Sequence, residues 1–224
     1  LLAIWLVFLI SQRNETKILN NNSETKENYS KYPFHENITV TIFWVGEESG
    51  EENEFIANVQ SVWDDKWKEH YGGLDSPKDR KDYLPSGFIP KENSFYFALP
   101  YNDFDEDNRK SSSENISWAK EENFGELESM CKNKWIKIRN GENTAYAQWE
   151  DAGPFGEDDF DYVFGNNLPK NKINNDAGLD VSPAVRDYLN LKDIDVVSWQ
   201  FVDFSKVPEG PWKTIITHSQ IFWE

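Results

Sequence analysis

Cysteine is almost absent from this chain. Cys131 is the only one in 224 residues, which excludes an intrachain disulfide and any zinc site built on paired thiolates. Histidine is nearly as scarce. His35, His70 and His218 stand far apart, and no spacing marks a metal cage or a nucleophile–histidine pair. Basic charge is short as well: 23 Lys and Arg stand against 40 Asp and Glu, a net charge of −17. A partner gripped through its phosphates needs clustered cations, so nucleic acid is excluded as the expected partner. Most of the acidic excess reads as a solvated surface. Long apolar runs are also missing. The opening LLAIWLVFLI has ten residues, too few to span a bilayer by itself.

Aromatic surface, by contrast, is abundant. Aromatics make up 15 % of the chain and include ten Trp. That much ring area demands a core and excludes a wholly disordered chain. The length suits one substantial domain carrying long insertions. Residues 1–10 read as the end of a truncated membrane anchor or as a signal segment. Residues 11–35, rich in Asn, Glu, Lys, Ser and Thr, have the composition of a disordered polar linker. The expectation is an exported protein on a periplasmic or extracellular face, touching the membrane only through its N-terminal segment.

The folded domain is expected over 36–224, with insertions near 64–94 and 103–130. NITVTIFWVGE alternates like a two-faced strand, and SFYFALPYNDF is a second strand stopped by Pro100. KWIKIRN, TAYAQWED and VVSWQFVDF are three more, the first two joined through Asn140-Gly141, which suits a hairpin turn. A short helix is expected before Gly72-Gly73. A better signalled one follows Ser182, with Pro183 at its first position and Ala184, Val185, Tyr188 and Leu189 on one face.

Three blocks in this order carry a resemblance: KWIKIRNGENTAYAQWEDAGPFG, then GLDVSPAVRDYLNL, then VVSWQFVDF. Together they resemble the double-psi β-barrel of the rare lipoprotein A family and, more distantly, that of expansins. Glu150-Asp151-Ala152-Gly153-Pro154-Phe155 matches the family's first block and Leu179-Asp180-Val181-Ser182 its second. Ala152 stands where the family has Arg, and no segment reproduces the family's early His-Gly. The resemblance spans roughly residues 132–204 and implies a mainly β fold: a six-stranded double-psi barrel with one short helix and long loop insertions.

The same resemblance implies a glycan-directed protein of the cell envelope, a lytic transglycosylase acting on peptidoglycan strands, with Asp151 as acid/base. Strand alternation puts Ala147, Trp149 and Asp151 on one face, so that a ring and a carboxyl stand side by side before the Gly-Pro corner. A ring stacks on a sugar, and partial desolvation raises an acid's pKa toward proton donation. Asp180 reads either as the partner carboxylate or as a structural acid before the helix. Trp149, Phe155, Trp44, Tyr96 and Tyr101 are the candidate substrate-binding rings, with the core as the alternative for each. A non-catalytic polysaccharide-binding or wall-loosening module is the second reading, and an envelope barrel that binds another protein the third.

No cofactor is expected, with one calcium candidate. Asp103, Asp105, Asp107 and Glu114 fall at positions 1, 3, 5 and 12 of a calcium loop. Asn108 stands where such a loop wants Gly, so a solvated acidic loop is the competing reading. Glu157, Asp158, Asp159 and Asp161 are a weaker cluster for the same ion.

Overall fold

The computed structural model describes residues 31–53 and 56–223. The apolar opening and the polar tract as far as residue 30 lie outside them. Among the described residues no helix is long and apolar enough to cross a membrane.

The fold is mainly β. Strand β1 (His35–Ile42) is followed by helix α1 (Trp67–Tyr71) and a small hairpin, β2 (Arg80–Lys81) with β3 (Leu84–Pro85). Then come β4 (Tyr96–Leu99) and a second small hairpin, β5 (Phe104–Asp105) with β6 (Asn108–Arg109). Next are β7 (Trp135–Asn140), β8 (Asn143–Ala152), α2 (Phe160–Val163), β9 (Leu179–Val181), α3 (Pro183–Leu189) and β10 (Ile194–Val202). Six strands close a barrel in the order β1-β10-β7-β8-β4-β9. The β1–β9 and β4–β8 pairs are parallel and the other four antiparallel, a mixed order compatible with a double-psi barrel.

Local chemistry explains the best-signalled elements. Gly141 takes φ 57° in the turn between β7 and β8, a value that favours glycine. The Ser182 hydroxyl accepts the Val185 N–H at 3.3 Å, and Asn190 ends α3 in the left-handed region. The extra strand, β9, is three residues long, and its pattern is too short to read from the sequence.

Aromatic packing fills the barrel. Trp149 is fully buried; it stacks on Phe97 with centroids 5.8 Å apart and meets Trp63 edge-on at 5.9 Å. Strand β4 is buried on both faces. Phe97 and Leu99 join the main cluster, whereas Tyr96 and Ala98 join a second one with Phe43, Val45, Trp67 and Tyr71. The segment between β1 and β4 therefore folds back over the outside of β4. A buried clasp fastens it: the Tyr96 hydroxyl donates to Asp75 at 2.9 Å and accepts the Val45 N–H at 3.0 Å, while Asp75 pairs with Arg80.

Trp149→Ala removes the ring at the centre of this packing. It is expected to cost about 3–5 kcal/mol, read as a fall in the urea midpoint at unchanged slope.

Candidate functional site

Four residues form a row across neighbouring strands. Thr41 on β1 pairs with Asp180 on β9, Asp180 with Ala98 on β4, and Ala98 with Asp151 on β8. Paired residues of adjacent strands share a face. The two acids therefore flank Ala98 on one side of the barrel wall, their backbones two strand spacings, roughly 10 Å, apart.

Strand alternation alone does not produce this row. Phe97 pairs with Trp149, but Ala98 pairs with Asp151, so β8 spends an extra residue, Glu150, against β4. This bulge reverses the facing of everything after it. The expected partnership of Trp149 and Asp151 on one face is thereby corrected: Trp149 belongs to the core and Asp151 joins Ala98 on the other side. Glu150 is itself buried, with Lys132 Nζ 2.5 Å from its Oε2.

Each acid is held by one oxygen. Asp151 Oδ1 accepts the Val62 N–H at 2.9 Å and the Ala152 N–H at 2.8 Å. Asp180 Oδ1 accepts the Thr41 hydroxyl, whose oxygen in turn accepts Asn174 Nδ2–H at 3.3 Å. Thr41, Asn174 and Val62 carried no sequence signal beyond the strand parity of Thr41. The second oxygen of each acid has no donor among the described residues. Small residues leave room beside it. A Cβ built on Gly153 would lie 3.2 Å from Asp180 Oδ2 and 3.7 Å from Ala98 Cβ. Ser182 caps α3, and the Asp180 carboxyl bonds Thr41 on the neighbouring strand.

Burial sets the electrostatics. It pushes Asp151 up to about 7, against the pull of the Val62 and Ala152 N–H groups, and the charges of Glu157 and Asp180 add to the push. Burial likewise raises Asp180 to about 7, opposed by the Thr41 bond and helped by Glu47. Asp151 keeps 6 % of its surface open, and Asp180 is half-buried.

The other expected site residues disperse. Trp149 and Tyr96 are fully buried and Tyr101 nearly so, because the barrel and its outer cover both need their ring area. They offer no face to a ligand. Trp44 and Phe155 are half-buried. The acids at calcium-loop spacing are not gathered either. Asp103 is fully buried and already bonded to Arg109 at 2.8 Å, Ser129 Oγ at 2.6 Å and the Met130 N–H at 2.7 Å. Asp105, Asp107 and Glu114 are exposed, and the loop is the β5–β6 hairpin. In the weaker cluster Asp158 pairs with Lys110, whereas Asp159 is buried and accepts the Lys170 N–H. Among the described residues no group of three or more His, Cys, Asp or Glu is placed to hold a metal ion. A cleft of about 520 Å³, lined by residues that include Trp118, Lys134, Trp135, Phe201 and Phe204, contains neither Asp151 nor Asp180.

Compared with known proteins, the chain matches no protein-family model and no curated protein.

An acid whose folded pKa lies above its unfolded value stabilises the fold below the unfolded value. That contribution is lost as pH rises through the folded one. Asp151 and Asp180 therefore weaken the fold between about pH 4 and pH 7 as they ionise. Asparagine keeps the Oδ1 acceptor without the charge. Asp151→Asn and Asp180→Asn are expected to melt about 5 °C or more above the parent at pH 8, and close to it at pH 4, in paired thermal melts.

Proposed function

We propose that the protein is a glycan-directed enzyme of the cell envelope, cleaving peptidoglycan strands in the manner of lytic transglycosylases. The observation that carries this reading is the pair of half-satisfied carboxyls across Ala98, each raised to about 7 by burial. Support comes also from the resemblance of the Glu150–Phe155 and Leu179–Ser182 segments to the two acid-bearing blocks of the rare lipoprotein A family.

Near neutral pH an acid with such a pKa is present in both protonation states, which general acid and base work requires. Asp151 is assigned the proton transfer, because its Oδ1 is fixed by two backbone donors while Oδ2 stays free. Its proton passes to the glycosidic oxygen as the bond from that oxygen to the anomeric carbon breaks. A hydroxyl of the same sugar then closes on the anomeric carbon and returns its proton to Asp151. No water or net proton is consumed, and the product ends in an anhydro ring. Asp180, ionised, faces the positive charge that develops at the anomeric carbon. On this reading the protein is exported and meets its polymer outside the cytoplasm.

A non-catalytic polysaccharide-binding or wall-loosening role is the second reading. The small opening at Asp151 favours it, as does Ala152 in the place of the family's Arg.

Incubation with purified sacculi separates the two. Release of anhydro-muropeptides, greatest near pH 7 and reduced about 100-fold or more in Asp151→Asn, is expected of the enzyme. Co-sedimentation with sacculi and no product would leave the binder. Absence of both would overturn the glycan reading.

A further inference from the structure

The backbone donor that holds Asp151 comes from a loop, and that loop is itself strapped down. Ser61 and Asp64 exchange backbone hydrogen bonds at 2.9 and 3.2 Å, which makes residues 61–64 a tight turn whose second residue is Val62. Val62 points its N–H at Asp151 Oδ1 and its carbonyl the other way, where it accepts the Trp223 indole N–H at 3.1 Å. One residue therefore joins Trp223 to the candidate acid. The neighbouring residue repeats the connection: the Phe222 N–H donates to the Trp63 carbonyl at 2.8 Å, and the Phe222 carbonyl accepts the Asp65 N–H at 3.0 Å. The Trp223 ring packs edge-on against Phe104 at 5.2 Å.

The segment leading to these residues is anchored along the outside of the barrel. Thr217 exchanges two hydrogen bonds with the buried side chain of Gln148 on β8, at 2.9 and 3.0 Å. The Ser219 hydroxyl donates to Glu92 at 2.7 Å, and its carbonyl accepts Asn133 Nδ2–H at 2.8 Å. The strap thus starts on the strand that carries Asp151, leaves it, and returns through Val62 to the same strand's far end.

We propose that residues 217–223 are a positioning element for Asp151, with Trp223 acting through Val62 to aim the N–H that fixes Oδ1. The proposal rests on the reading of Asp151 as the proton-transferring group. Fixing one oxygen leaves the proton to the other, the one without a donor. The groups that face Asp151 electrostatically are Asp180 and Glu157, both acidic, so the backbone N–H groups of Val62 and Ala152 are the interactions that favour its ionised form.

Trp223→Phe tests this. It keeps a ring against Phe104 and deletes the donor to Val62. The readout is the carboxyl titration of Asp151, followed by carbon NMR in the full chain, with hydrogen exchange of the Val62 amide as the second measurement. A merely structural indole would move the melting temperature alone. The expectation is an upward shift of the Asp151 titration by about half a pH unit and faster exchange at Val62, with Asp180 unmoved. A second variant, ending the chain after Gln220, should enlarge both changes. An unchanged Asp151 titration and unchanged Val62 exchange in Trp223→Phe would overturn the proposal. Should the shortened chain not fold, Trp223→Phe alone decides. The titration reads the carboxyl and not glycan cleavage, so its failure leaves the enzymatic reading standing. Inactivity toward sacculi likewise leaves the titration meaningful.

Discussion

Between Phe97 and Ala98 the ladder from β4 to β8 absorbs one extra residue, and the polar face of the molecule depends on that insertion. In an even ladder Asp151 would follow Ala147 and Trp149 into a core of stacked rings, where a carboxyl finds no donor. With Glu150 taken up by the bulge, Trp149 stays inside and Asp151 crosses to the face of Ala98 and Asp180. The bulge also sends Glu150 to Lys132 in a fully buried ion pair. Three consecutive side chains, a ring and two acids, are thus sorted into three environments by a single backbone irregularity.

Burial raises the pKa of both acids, and Ala98, which stands between them in the row, is covered from the outside of the barrel. The segment between β1 and β4 packs Trp67 and Tyr71 over Tyr96 and Ala98, and the buried Asp75–Tyr96 bond holds it there. The same segment contributes the turn from which Val62 reaches Asp151. At Asp151 burial and hydrogen bonding act in opposite directions: burial raises the pKa, and the N–H groups of Val62 and Ala152 lower it.

The mainly β architecture was legible in the sequence where signals were long. β7, β8 and β10 alternate over six to ten residues, and α3 announces itself through Ser182 and Pro183. β9 was not legible as a strand, because three residues cannot show a period. The candidate site was half legible. Asp151 and Asp180 stand out beside the Gly-Pro corner and the helix start, and the pairing through Ala98 brings them to one face. The side-by-side ring and acid failed because alternation is blind to a bulge: a single added residue looks like any other until its partner strand is known. The acids at calcium-loop spacing are dispersed for a related reason. Spacing fixes which residues recur, whereas burial of Asp103 under Ser129, Met130 and Arg109 is a tertiary outcome.

Holding two acids in partial burial works against stability, and the arrangement persists only because neighbouring terms are larger. A ring such as Trp149, closely packed and with its indole N–H bonded to the Asp151 carbonyl at 2.8 Å, contributes several times the net value of one hydrogen bond. That bond ties the strongest packing in the barrel to the backbone of the residue that is least comfortable there. The desolvated acid thus sits between a buried tryptophan on one side and a strapped turn on the other. Support of this kind holds one carboxyl oxygen in a fixed orientation. Hydrogen bonding alone does not set Asp151 apart, since Asp195 near the surface also accepts two backbone N–H groups, from Lys192 and Val196; the difference is that Asp151 is buried.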